Sequence, residues 1–316
     1  MKRLFRTFRQ SLMALFLGPF LAAGCQNTGN IEPSDFDGIS KRSDGSIIEW
    51  RLENARPEAS NKILLIAQGS GCAPARSSAN VDLLANIATG FATLTIEKYG
   101  VSVDDAPANS SEDCTETYFM NHTVSQRVAD ARTVLADLAE DGLWNGALYL
   151  FGGSEGGAVV SILSQAETET DAVAVFSTGT GLTMAEFFPM VVPPPVAARM
   201  QDIFDAVRAN PDAEGIAGGN SYRWWADILD RRLSDDLLQS TAPILLVHGV
   251  NDRSAPVASA RSTRDAFATA AQSSRLTYWE LEDRDHAMID QNGQSHMADV
   301  LRDVVEWLEQ RTSLHD

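Results

Sequence analysis

Residues 147–158 read Ala-Leu-Tyr-Leu-Phe-Gly-Gly-Ser-Glu-Gly-Gly-Ala, an apolar run that breaks into glycines around one serine and resumes as small residues. Ala147–Phe151 suits a buried strand, and Gly157–Ala166 has the length and composition of a helix. Between them the spacing G-x-S-x-G predicts that Ser154 sits on a tight strand-to-helix turn. Gly152 and Gly156, two places before and after, let neighbouring chain approach without a Cβ clash. A serine on such a turn holds a strained backbone and lifts its hydroxyl above the sheet edge. The helix that follows aims its N-terminus at the hydroxyl, where free amides and the dipole favour negative charge.

Working outward, the same alternation recurs. Further apolar runs fit buried strands at Ile63–Ala67, Phe91–Ile96, Ala172–Phe176 and Ile244–Val247, with another at Leu276–Leu281. Ile47–Leu52 alternates polar and apolar residues and suits an antiparallel edge strand. Helix-period stretches lie between them at Val81–Thr89, Ser125–Glu140, Ser259–Ala271 and His296–Glu309. In Ser125–Glu140, Val128, Ala131, Val134, Leu135 and Leu138 share one stripe. The prediction is an α/β fold, a mostly parallel sheet with helices on both faces. Its core is expected over 46–181 and 241–316. Residues 182–240, with Phe187-Phe188 and Trp224-Trp225, interrupt the rhythm and predict an inserted cap. Those rings either pack a small core of the cap or line a substrate pocket.

A serine hydroxyl needs a base to take its proton. Five histidines compete: His122, His248, His286, His296 and His315. His286 follows the last strand in the loop Glu282–Ala287 and is the preferred base, with His296 second. His248 ends a strand and reads as structural; His122 and His315 read as surface residues. An acid must then hold the imidazole in one tautomer. Asp252, on the turn after Ile244–Val247, fits, while Asp283 and Asp285 read as solvated loop charges.

Gly152–Gly157, His286 and the stretch His248–Val257, with its H-G-x-x-D-x-x-x-P pattern, together resemble the α/β-hydrolase superfamily, over roughly residues 46–312. The doubled glycines in G-G-S-x-G-G are similar to prolyl-oligopeptidase-like and dienelactone-hydrolase-like domains, although the latter usually carry Cys where this chain has Ser154. The chain order Ser154, Asp252, His286 is the order that fold uses. The resemblance implies a nucleophile, an acid and a base in those roles. It also implies an oxyanion hole from the amide of Glu155 and one from Gln68-Gly69-Ser70-Gly71-Cys72. That segment resembles the H-G-x-G segment of esterases; Ser70 is the donor assigned and Gly71 the alternate. The expected reaction is hydrolysis of a carboxylic ester or thioester, with a small-molecule acyl ester as partner and no cofactor or metal. The alternatives are a small-peptide serine peptidase and a non-catalytic surface-binding lipoprotein.

Residues 1–24 read as an export signal, with Lys2, Arg3, Arg6 and Arg9 ahead of the apolar stretch Leu12–Ala23. Leu21-Ala-Ala-Gly-Cys25 resembles the bacterial lipobox, and the resemblance implies that Cys25 is the lipidated residue, 25–45 a polar tether, and the envelope, facing periplasm or surface, the location; the alternative is ordinary cleavage that leaves a soluble exported protein. In that oxidising compartment Cys72 and Cys114 can form a disulfide. The formal charge is −18 and becomes −22 without the four cations of residues 1–24, a balance that argues against nucleic-acid binding.

Overall fold

The computed structural model describes residues 34–56, 61–167 and 169–312. The signal segment 1–24, Cys25 and His315 lie outside them. Strands β1 (Ser34–Lys41), β2 (Ile47–Ala55) and β3 (Asn61–Ala67) lead into helix α1 (Ala79–Ile87) and β4 (Ala92–Ile96). Helices α2 (Glu116–Asn121) and α3 (Val124–Glu140) precede β5 (Trp144–Gly153), α4 (Glu155–Ala166) and β6 (Thr170–Phe176). Next come α5 (Met184–Val191), α6 (Pro194–Ala209), the short hairpin β7 (Ile216–Ala217) and β8 (Asn220–Ser221), α7 (Tyr222–Ile228) and α8 (Leu233–Gln239). The chain closes with β9 (Ile244–Gly249), α9 (Val257–Thr269), β10 (Leu276–Leu281) and α10 (Met297–Thr312).

Eight strands form one sheet in the order β1-β2-β4-β3-β5-β6-β9-β10. From β4 to β10 every pairing is parallel; β2 is antiparallel to both of its neighbours. The parallel strands read as unbroken apolar runs because both faces are covered. Leu148 and Leu150 of β5, Val173 and Val175 of β6 and Ile244 and Leu246 of β9 pack under α3, α4, α8 and α9. Tyr149 and Phe151, Ala172 and Ala174, and Leu245 and Val247 face the other way, onto α1 and α10.

Two expectations are corrected here. Ile47–Leu52 is not an edge strand, because β1 pairs outside it. β1 in turn occupies the second half of the expected tether 25–45. Its sequence looks like linker because only alternate residues meet the core and, Phe36 apart, those are small: a Cβ on Gly38 would sit 2.1 Å from the Trp50 ring, and Ser40 accepts a hydrogen bond from the Trp50 indole at 3.1 Å.

The stretch 182–240 forms α5 to α8 and the hairpin, and its rings both pack on one another and line a cavity. Phe204 and Trp225 are buried against each other and against Phe188, whereas Phe187, Phe188 and Trp224 also line a cavity. α8 lies in the helix layer, packed on α4 and α9.

Candidate active site

Parallel strands all present their C-terminal ends on one edge, and the loops that leave that edge gather at one place. Ser154 leaves β5 there with φ 53° and ψ −122°, outside the ordinary regions for a residue with a side chain. The turn persists because its surroundings over-determine it. The Ser154 amide donates to the Phe176 carbonyl at 2.9 Å, and the Thr178 hydroxyl donates to the Ser154 carbonyl at 2.9 Å. The glycines are there for space: a Cβ on Gly156 would lie 1.8 Å from the Ala67 carbonyl oxygen, and one on Gly152 would lie 2.2 Å from that of Gly156.

Asp252 and His286 come from the loops after β9 and β10, and backbone bonds zip those loops together. Val250 donates to the Leu281 carbonyl at 3.0 Å and Asn251 to the Arg284 carbonyl at 2.8 Å. Asp252 is buried, with Oδ1 accepting the amides of Ser254 at 2.8 Å and Ala255 at 2.9 Å. Its Oδ2 lies 2.8 Å from His286 Nδ1. A carboxylate only accepts, so Nδ1 carries the proton and Nε2 presents its lone pair to the cleft. Ser154 and His286 both line each of two cavities. No direct hydrogen bond joins them among the described residues, a separation common in unliganded sites that tightens when substrate binds.

The remaining histidines and acids sort themselves by environment. His248 is fully buried beneath Asp252: its Nε2 donates to the Ala255 carbonyl at 2.8 Å and lies 3.4 Å from Asp252 Oδ2. Burial keeps its pKa low despite those two acceptors, so a neutral ring supports the acid turn. His296 pairs with Asp290 at 3.1 Å. Asp285 accepts the amides of Ala287 and Ile289 at 2.9 and 2.8 Å and shapes the His286 loop.

His122 is the clear correction. Expected at the surface, it is 2% exposed, stacked on Tyr118 with ring centroids 4.5 Å apart, and its Nε2 lies 3.1 Å from Glu155 Oε1. Glu155 explains this. Although it is the first residue of α4, its side chain turns inward. There it accepts from Arg127 at 2.8 Å and from the Trp224 indole at 3.1 Å. Burial alone would raise this carboxyl, but His122, Arg127 and Lys98 outweigh it and hold it well below the usual carboxylate range. His122 is pulled down by burial, so the neutral ring donates and Arg127 carries the balancing charge. No spacing in the sequence announced this network.

Ser70 lines the same cavity as Ser154 and Glu155. Gly71, the alternate donor, lines neither cavity, and its backbone hydrogen-bonds the Tyr118 phenol. Cys72 and Cys114 form the expected disulfide, 5.6 Å between Cα atoms, which ties this loop to the segment before α2. Among the described residues no cluster of His, Cys, Asp and Glu could hold a metal ion.

The two cavities meet at Ser154. One, of about 270 Å³, lies under α5 and α7 and is lined by Met184, Phe187, Phe188 and Trp224. The other, of about 210 Å³, runs between the sheet and helices α1 and α10, past Ile66, Val81, Phe151, Phe176 and Met297.

No protein-family profile matches the sequence. No curated protein matches it either. Solved structures do match. The esterase Est1E from Butyrivibrio proteoclasticus, with ferulic acid bound, superposes with a TM-score of 0.60 at 16% identity, over 87% of this chain and 100% of that one. The fold is that of the α/β-hydrolases. An esterase from Pyrococcus furiosus shares it at a TM-score of 0.57 and 11% identity, covering 88% of this chain and 91% of the esterase. A puromycin-hydrolyzing peptidase from Mycobacterium tuberculosis does so at 0.59 and 14%, over 87% of this chain but only 39% of the peptidase. The α/β-hydrolase expectation, with its mostly parallel sheet, therefore holds for this chain.

Proposed function

We propose that this α/β-hydrolase-fold protein is a serine hydrolase that cleaves a carboxylic ester or thioester through an acyl-enzyme on Ser154. The observation that carries the reading is a shared cleft: Ser154 and His286 line the same two cavities, and His286 is held by buried Asp252 at 2.8 Å. Ser154 Oγ attacks the acyl carbon while His286 Nε2 takes its proton, and Asp252 offsets the imidazolium charge. The carbonyl oxygen becomes an oxyanion and is met by the amides of Ser70 and Glu155, each such donor being worth about 3 kcal/mol. His286 then returns the proton to the leaving oxygen or sulfur. Water, deprotonated by the same imidazole, attacks the acyl-enzyme and frees the acid and Ser154.

An ester is favoured over a peptide by the character of the cleft. Its charged lining groups are already paired: Arg231 with Asp236 at 2.6 Å and Glu155 with Arg127 at 2.8 Å. Among the described residues that line the cleft no charged group is left unpaired to hold a peptide terminus, and apolar walls on both sides of Ser154 suit uncharged acyl and leaving groups. With residues 1–24 as an export signal and a lipid on Cys25, the enzyme would work at the membrane surface of the cell envelope.

The test is a panel of apolar esters, thioesters and matched peptide amides at equal concentration, run with wild type and Ser154→Ala. Ester turnover that vanishes in the variant is expected. Faster amide than ester turnover would favour the peptidase reading, and activity retained by Ser154→Ala would end both.

A further inference from the structure

Beneath the loop that supplies the Ser70 amide lies a set of charges that the reaction above does not use. Lys98, just past β4, is 2% exposed and among the described residues its side chain bonds only backbone: its Nζ donates to the Gly69 carbonyl at 2.6 Å and to the Gly71 carbonyl. Arg127, in the first turn of α3, donates to the Gln68 carbonyl at 2.8 Å through Nη2 while Nη1 holds Glu155. The carbonyls of residues 68, 69 and 71 are thus all gripped from below by buried cations.

The consequence follows from peptide geometry. The Gly69 carbonyl and the Ser70 amide belong to one planar trans unit, in which C=O and N–H point in opposite directions. With that oxygen pinned to Lys98, the Ser70 N–H is turned away from Lys98, and Ser70 lines the cavity that it shares with Ser154. A cation on the oxygen also draws electrons across the unit and makes the N–H a stronger donor.

Resting on the serine-hydrolase reading above, we propose that Lys98 is a positioning residue of this site, assisted by Arg127. It fixes and polarises the Ser70 amide that receives the oxyanion.

The charge balance points the same way. Two cations share this buried space with one firmly ionised carboxylate, Glu155, since burial pushes the Glu97 carboxyl up to about 7 and keeps His122 neutral. Burying a surplus positive charge is costly for folding. Here it lies directly behind the place where negative charge develops during reaction.

The experiment compares full-length wild type with Lys98→Met in ester hydrolysis and in inhibition by an alkylboronic acid, which forms a tetrahedral adduct on the serine. The expected variant is folded, with kcat lower by roughly 10- to 100-fold. KM should stay within about threefold, and the boronic acid should bind more weakly by the same factor as kcat, because only tetrahedral species use the Ser70 amide. Unchanged kcat and boronate affinity, or a loss confined to KM, would overturn the assignment. If Lys98→Met does not fold, Lys98→Leu, which likewise leaves the Gly69 carbonyl without a side-chain donor, is read by the same criteria. Failure of both to fold would mark Lys98 as structural and also overturn it. Wild type that neither turns over esters nor binds the boronic acid refutes the hydrolase reading itself.

Discussion

Gly156 has no room for a side chain, because the Ala67 carbonyl would lie 1.8 Å from its Cβ. Both partners are backbone, so neither can swing aside. Gly156→Ala is expected to cost roughly 3 kcal/mol or more, measurable as a lowered urea midpoint, since overpacking against rigid neighbours is relieved only by moving β3 or α4. Asp252→Asn should leave the fold intact and lower kcat by about 10⁴, because an amide can satisfy the wrong imidazole tautomer. A kcat within tenfold of wild type would remove Asp252 from its role. These residues were legible because the fold places each after a particular strand and the sequence has few competitors there. His122 was not. Its burial depends on Glu155 turning inward, a choice made by Arg127, Trp224 and Lys98 from three distant segments. No local pattern encodes that.

At the level of elements, α3, α4 and the central strands followed directly from periodicity, since each buries a face or a run of apolar residues. β1 escaped because an edge strand that covers a tryptophan with Gly38 and Ser40 has the composition of a linker. The cap was legible as an interruption but not in its helices, whose rings face partly inward and partly into the cleft. The loop after β3 is held by more than its own residues. Cys72 is bonded to Cys114 across 42 residues of chain, and its amide donates to the Ser110 carbonyl at 2.8 Å. Opening that link by Cys72→Ser with Cys114→Ser should cost about 4 kcal/mol through the freed unfolded chain. It should also lower kcat, because the Ser70 amide loses one of its two anchors. A thermal melt and steady-state rates on the double variant check both parts; unchanged kcat would mean the buried cations alone fix the loop.

For the molecule as a whole, the buried charges govern how stability responds to pH. Lys98 titrates near 10.5 unfolded, and burial, reinforced by Arg127 and opposed by Glu155 and Glu97, pushes it down to about 7 in the folded protein. Between those values the unfolded chain binds the extra proton, so this group makes stability rise with pH, and its cost is largest at pH 7 and below. Lys98→Met lacks that slope. Its Tm relative to wild type is therefore expected to be most favourable near pH 6 and to decline steadily toward pH 9.5; a constant difference would show that Lys98 is not held in the depressed state. Glu155 has the same sign of dependence over a lower range of pH. Its lowered pKa contributes stability that is complete above about 4.5 and fades only as pH falls through its folded value.

The most direct test of the central claim, a nucleophilic Ser154 activated by His286, is reaction of the native protein with a fluorophosphonate followed by peptide mass spectrometry. The account predicts one adduct per chain, on the peptide that carries Ser154, formed at least about 10³-fold more slowly in His286→Ala. Native wild type that takes up no label, or takes it up on a different residue, would contradict it.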